Sequence, residues 1–219
     1  SFHLLRELSH ALMVTGETEE ASRLAEEALK IAPTNPYVID QTLALRVAAL
    51  SRVTKDTLLD PAITELLDSL GQYGDEEGKS FYAIRMADIY RRAGDPAAAL
   101  DYAQRACSLT PNLFSAHLVE AECFLKLKSD PEVRKKIDHM QKLLEGSCNG
   151  EWRTNIAQFI HLKIEYLIAI GETSDAVSLA QANERRLNGF IPNLKKKLSF
   201  IASSSPNLSD ADRKWLARG

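Results

Sequence analysis

GDEEGKS, from Gly74 to Ser80, carries the residue types of a phosphate cradle: two glycines, a lysine and a hydroxyl. A phosphate loop needs four residues between its glycines and a strand in front of them, so that backbone N–H groups can surround the anion. Here three residues separate the glycines, no strand pattern precedes them, and Asp75, Glu76 and Glu77 would repel phosphate. The same acids suit the first turn of a helix, where the macrodipole favours negative charge. GDEEGKS therefore reads as an acidic helix N-terminus.

Metal and nucleophile chemistry find no better support. The histidines are His3, His10, His117, His139 and His161, and none forms HExxH or a His–Cys cluster. His161 and Glu165 stand four apart on one helical face, but two ligands are too few for a structural zinc. Cys107, Cys123 and Cys148 are odd in number and lack CxxC spacing. They read as reduced thiols of a cytoplasmic protein, with Cys107 and Cys123 at positions where small apolar core residues are expected. There is no GxSxG and no isolated pair of acids in an apolar setting. No enzyme, no cofactor and no metal is expected. RRL at 185–187 and LKKKL at 194–198 make a basic C-terminal region that reads as a solvated helix face. Aromatic interleaving for base stacking is nearly absent, so nucleic acid is not an expected partner.

The chain that must position any site has 219 residues, 45% hydrophobic and 26% charged, ordinary figures for a folded protein. Ten glycines and eight prolines argue against an all-β or disordered chain. No apolar run approaches the length of a membrane span, so no membrane insertion is expected. The N-terminus lacks a basic start followed by an apolar stretch, so no secretory leader is expected. Residues 1–110 carry 11 Lys/Arg and 17 Asp/Glu, and residues 111–219 carry 16 and 13. That polarity, −6 against +3, is well short of a nucleic-acid footprint.

Three stretches repeat one grammar. From Gly16 the small residues are Ala21, Ala25 and Ala28, closed by Pro33; from Gly94 they are Ala99, Ala103 and Ala106, closed by Pro111. From Gly171 they are Ala176 and Ala180, and Asn183 breaks the series. Steps of four and three put these residues on one helical face, where alanine lets a neighbouring helix come close. Four residues before each glycine stands a larger group, Leu12, Tyr90 or Leu167. It falls on the last turn of a preceding helix that the glycine ends with φ > 0. The unit is helix, tight turn, helix, stop, and it must stack on neighbours to bury its apolar face.

This pattern is similar to the tetratricopeptide (TPR) repeat. The resemblance implies an all-α, right-handed superhelical solenoid of antiparallel helix pairs, about 10–12 helices in all. The glycines lie 78 and 77 residues apart, against about 68 for two 34-residue units. The extra residues are expected in loops near 53–59, 71–78 and 145–150. The expected organisation is an array over 1–188, in pairs 1–33, 36–71, 77–111, 113–145 and 151–188. Residues 189–219 follow as C-terminal capping helices, the last capped by Ser209. In 113–145 Lys128 stands where the glycine would be, and Asp130 is expected to cap the following helix, with Pro131 at its first position.

In TPR arrays the first helix of each pair lines a concave groove. By that resemblance the groove would show Arg6 and His10, then Tyr37 and Asp40. Phe81, Ile84, Asp88, Arg91 and Arg92 come next, then Leu118, Glu122 and Lys126, with His161 and Glu165 after them. Family members that hold a peptide's terminal carboxylate use cations and Asn at set positions. Here Asp40, Asp88 and Glu122 stand instead, against such a clamp, while Arg91 and Arg92 could meet an acidic segment. The expected function is a non-enzymatic scaffold that binds a protein or peptide partner through this groove. The alternative is a regulatory, sensor or oligomerisation arm of a larger multidomain protein, which the Ser-Phe start would suit. A homo-oligomer is possible in either case.

Overall fold

Three glycines frame the chain. Gly16, Gly94 and Gly171 adopt φ of 90°, 81° and 86°, a left-handed conformation in which a Cβ is strained. Each turn closes the same way. The N–H groups of Glu17, Asp95 and Glu172 reach back to the carbonyls of Leu12, Tyr90 and Leu167, each at 2.9 Å. This is the Schellman pattern, which satisfies orphan carbonyls at a helix end. The bulky residue four before each glycine thus supplies the acceptor for the turn and a side chain for the core.

The computed structural model describes residues 1–146, 153–187, 190–202 and 208–217. Among them are twelve α-helices, one 3₁₀ turn and no strand. The helices fall into two compact units, Ser1–Leu127 and Lys128–Gly219.

The first unit runs α1 (Phe2–Thr15), α2 (Thr18–Ile31), α3 (Pro36–Ala49), a 3₁₀ turn (Lys55–Leu59), α4 (Pro61–Gly71), α5 (Glu76–Arg92), α6 (Pro96–Leu109) and α7 (Phe114–Lys126). Helix starts follow their caps. The side chains of Asn35, Asp60, Asp75 and Asp95 accept backbone N–H groups in the first turns of α3, α4, α5 and α6, and three of these helices have proline at the start. α2 and α6 stop two residues short of Pro33 and Pro111, as the restriction on the residue before proline requires. Asp75 caps α5 inside GDEEGKS, with its carboxylate on the Gly78 N–H at 2.7 Å. Gly78 is there for packing, since a Cβ on it would lie 2.1 Å from the Cβ of Tyr73.

The alanines are buried as their spacing requires. Ala99, Ala103 and Ala106 of α6 meet Ala83, Ile84 and Ala87 of α5 and Ala116, Val119 and Cys123 of α7 in one cluster. Ala21 and Ala25 of α2 pack with Leu12, Met13 and Leu45. Between these alanine seams lies a different core. Ile39, Leu43 and Val47 of α3 meet Ile63, Leu66, Leu67 and Leu70 of α4, with Met86 and Ile89 of α5.

The second unit comprises α8 (Asp130–Gly146), α9 (Arg153–Ala169), α10 (Thr173–Ala182), α11 (Ile191–Ala202) and α12 (Asp210–Leu216). Lys128, just before α8, is the one non-glycine with positive φ among the described residues, at 57°. It takes the part of a turn glycine at the position where the repeat lacks one. Asp130 is the first residue of α8, one position later than a cap. Ile160, Ile164, Ala176, Val177 and Ala180 pack with Leu187, Leu194, Leu198 and Leu216, so α11 and α12 bury their apolar faces against α9 and α10. Ser209 caps α12 through a reciprocal box with Asp212. Among the described residues no helix is long and apolar enough to cross a membrane.

Candidate functional site

The first helices of the pairs in unit 1, α1, α3, α5 and α7, bring most of the expected groove residues together. On α1 and α3, the Arg6 guanidinium lies 5.4 Å from the centre of the Tyr37 ring. Phe81 of α5 meets that ring edge-on at 5.3 Å. The Tyr37 hydroxyl donates to Glu77 at 2.5 Å, and that bond, followed by burial, holds the phenol pKa above its ordinary value. Tyr37 nevertheless remains 40% exposed. Gln41 ties α3 to α1, donating to the Arg6 carbonyl at 3.1 Å and the Ser9 hydroxyl at 2.9 Å.

Further along, acids and arginines alternate between helices. Arg85 of α5 makes a two-pronged contact with Asp40 of α3 at 2.6 and 3.2 Å. Burial alone would weaken the Arg85 charge, but Asp40 outweighs it and the pKa is raised. Arg91 bonds Asp88 on its own helix at 2.5 Å and Glu122 of α7 at 3.0 Å. Burial pushes the Glu122 carboxyl above its usual range, against the pull of Arg91. Arg92 donates to the Val47 carbonyl of α3 at 2.9 Å. Lys126 is exposed at the end of α7 and His10 is half-buried on α1.

Two expectations change here. Ile84 and Leu118, read as groove-lining, are core residues with 4% and 5% exposure. Arg91 and Arg92, read as open to an acidic segment, already have partners within the chain. Arg85, which joins α3 to α5, escaped the sequence reading. It lies one residue after Ile84, off the repeat positions that predict a groove, and its place follows from pairing across helices. In the second unit Glu165 is paired with Lys197 and lies 3.8 Å from His161. His161 stacks on Phe190 at 4.6 Å, and burial lowers its pKa. The basic stretch is also less solvated than its composition implies. Lys195 is buried, bonded to Glu184 at 3.1 Å and held 4.6 Å from the Trp215 ring centre.

Cysteine and histidine bring a further correction, because a His–Cys cluster does form. Cys107 of α6 faces His117 and Glu120 of α7. The three side-chain atoms, Sγ, Nδ1 and Oε2, lie 3.0 to 3.3 Å apart. Residues ten apart in sequence meet because the turn at 110–113 folds α7 back on α6. Cys123 is buried, and burial followed by the Glu122 charge pushes its thiol up to about 12, too high for a nucleophile. Cys148 lies outside the described residues. Asp68, Gln72, Lys79, Tyr82 and Arg105 also line an open hollow of about 550 Å³ among α4, α5 and α6, which no motif announced.

No protein-family model matches the sequence, and no curated protein matches it. Solved structures do. The chain is similar to TTC0263, a thermophilic TPR protein of Thermus thermophilus. The TM-score is 0.63 at 15% identity, over 92% of this chain and 99% of that one. It is also similar to YrrB, described as a TPR protein with an unusual peptide-binding site, with a TM-score of 0.42, 12% identity and coverage of 84% and 89%. MamA gives a TM-score of 0.40 and 12% identity over 84% and 94%. With its glycine turns, its buried alanine seams and the first of these likenesses, the chain has the fold of a TPR-like helical repeat domain.

Proposed function

We propose that this domain is a non-catalytic protein-interaction scaffold. It binds an extended protein or peptide segment across α1, α3, α5 and α7. The observation that carries the reading is Tyr37: a large, half-exposed aromatic fixed by Arg6, Phe81 and Glu77. Rigid aromatic side chains that need little ordering on binding are the usual anchors of interfaces. Beside this anchor Asp40 and Arg85 balance each other's charge, and Arg91 is held between two acids, Asp88 and Glu122. A partner is then recognised by shape, aromatic contact and hydrogen bonding to paired side chains, without a clamp for a free carboxylate. A partner acid would have to compete with Asp88 and Glu122 for Arg91.

Panning a displayed random-peptide library against the untagged domain tests this. Peptides that enrich should lose about tenfold or more in affinity with Tyr37→Ser, a hot-spot effect. Arg23→Ala on α2, whose guanidinium pairs with Glu20 and Glu27, should leave affinity unchanged. Equal affinity for wild type and Tyr37→Ser would remove the basis of the reading. Arg91→Glu with Arg92→Glu is a poor probe, because it also breaks the contacts to Glu122 and Val47.

A further inference from the structure

We propose that Cys107, His117 and Glu120 form a binding site for a borderline-soft divalent metal ion, of which Zn²⁺ is the best fit. The site lies inside the first unit, at the hairpin between α6 and α7. The last turn of α6 supplies the Cys107 thiol. His117 and Glu120, three apart on α7, present their side chains on one face. Sγ and Nδ1 are 3.3 Å apart, Sγ and Oε2 3.0 Å, and Nδ1 and Oε2 3.1 Å. Around tetrahedral zinc, bonds of about 2.0 to 2.3 Å place the ligand atoms roughly 3.3 to 3.6 Å from one another. An outward movement of a few tenths of an ångström would admit the ion.

Orientation supports the same assignment. The other ring nitrogen of His117, Nε2, lies 2.7 Å from the Pro111 carbonyl. Metal-ligating histidines characteristically donate their second N–H to such an oxygen, which fixes the ring and turns the remaining nitrogen to the ion. Here the turn between α6 and α7 supplies that carbonyl, and Nδ1 points at the sulfur and the carboxylate.

Charge gives the third argument. His117 and Glu120 are 5% and 2% exposed. A divalent ion displaces the Cys107 thiol proton to solvent on binding, and its two charges are matched by one thiolate and one carboxylate. The donor set also selects the metal. Sulfur and imidazole nitrogen suit zinc and its neighbours, whereas calcium and magnesium take oxygen ligands. Three protein ligands leave a fourth position for water or a partner's donor.

The untagged chain, stripped with a chelator and titrated with Co²⁺ as a spectroscopic stand-in for zinc, tests the assignment. The expected result is saturable binding of about one equivalent, with a thiolate-to-cobalt charge-transfer band that Zn²⁺ abolishes. The band should vanish in Cys107→Ser and persist in Cys123→Ser. Glu120→Gln should bind at least about tenfold more weakly. A wild-type measurement stands beside the variants in case one does not fold. Zn²⁺ should slow alkylation of Cys107 about tenfold or more relative to the metal-free chain, mapped by mass spectrometry. No band and no protection of Cys107, or a band that survives Cys107→Ser in the folded variant, would overturn the proposal.

Discussion

Helices α4 and α6 are both second members of helix pairs, and they meet their neighbours by opposite means. α4 buries Ile63, Leu66, Leu67 and Leu70; α6 buries Ala99, Ala103 and Ala106. On α6 the side chains stop at Cβ, so contact comes from the close approach of backbones. On α4 the branched side chains fill the space between α3 and α5. The difference teaches that a repeat can keep its helix-pair plan while exchanging close approach for side-chain volume. It also explains why the 36–71 pair shows no alanine rhythm.

The sharpest way to break the comparison is to trim α4. Leu70 is fully buried, and Leu70→Ala should lose about 2–5 kcal/mol, through lost transfer energy and the cavity left behind. Urea unfolding of the two proteins measures this. The mirror-image change on α6 enlarges a seam. Ala103→Leu should destabilise by about 1–3 kcal/mol, because a seam set by Cβ contacts has no room for three more carbons. If Leu at 103 is accepted with no fall in melting temperature, α6 does not pack by close approach and the contrast with α4 fails. A smaller effect belongs to the turn that feeds α6. Gly94→Ala should cost about 1–2 kcal/mol from the left-handed backbone alone, since no atom within 4 Å would meet the new methyl.

The contrast also marks what could be read from the sequence. Alanine at steps of four and three after a glycine has one physical use, a close helix–helix seam behind a left-handed turn, so α1, α2, α5, α6 and α10 were legible. Ser209 was legible because its capping partner Asp212 is three residues away. The α3–α4 pair shows neither signal, only leucines that many helices share. The pairings across helices were hidden for another reason. Asp40 and Arg85 are 45 residues apart, and their meeting depends on the stacking of α3 on α5. The Cys107–His117 contact had a local signal that passed unused. Both residues lie five positions from Asn112, the middle of the turn, and residues equidistant from a hairpin turn tend to face each other.

Lys128 offers a gain instead of a loss. It holds φ of 57° where the well-formed units place glycine. Lys128→Gly should raise stability by about 0.5–1 kcal/mol, the relief of left-handed strain less the extra freedom glycine has when unfolded. A thermal melt decides it, and a fall in stability would mean that the lysine side chain contributes more than its backbone loses.

The smallest effect concerns charge and appears only as a function of pH. Burial raises the Glu122 carboxyl above its ordinary value of 4.5, with Arg91 pulling the other way. A carboxyl whose pKa is higher folded than unfolded takes up its proton more readily in the folded chain. Its contribution to stability is complete below the unfolded value and is lost as pH rises through the folded one. Glu122→Gln has no proton to take up at this position. As pH is lowered from neutral to about 4, wild type should therefore gain stability relative to Glu122→Gln, with the change concentrated just above 4.5. Groups common to both proteins cancel in the difference between their melting temperatures. The opposite slope would mean that Arg91 holds the carboxylate more strongly than burial disfavours it. The α5–α7 contact would then owe its stability to the ion pair in addition to the alanine seam beneath it.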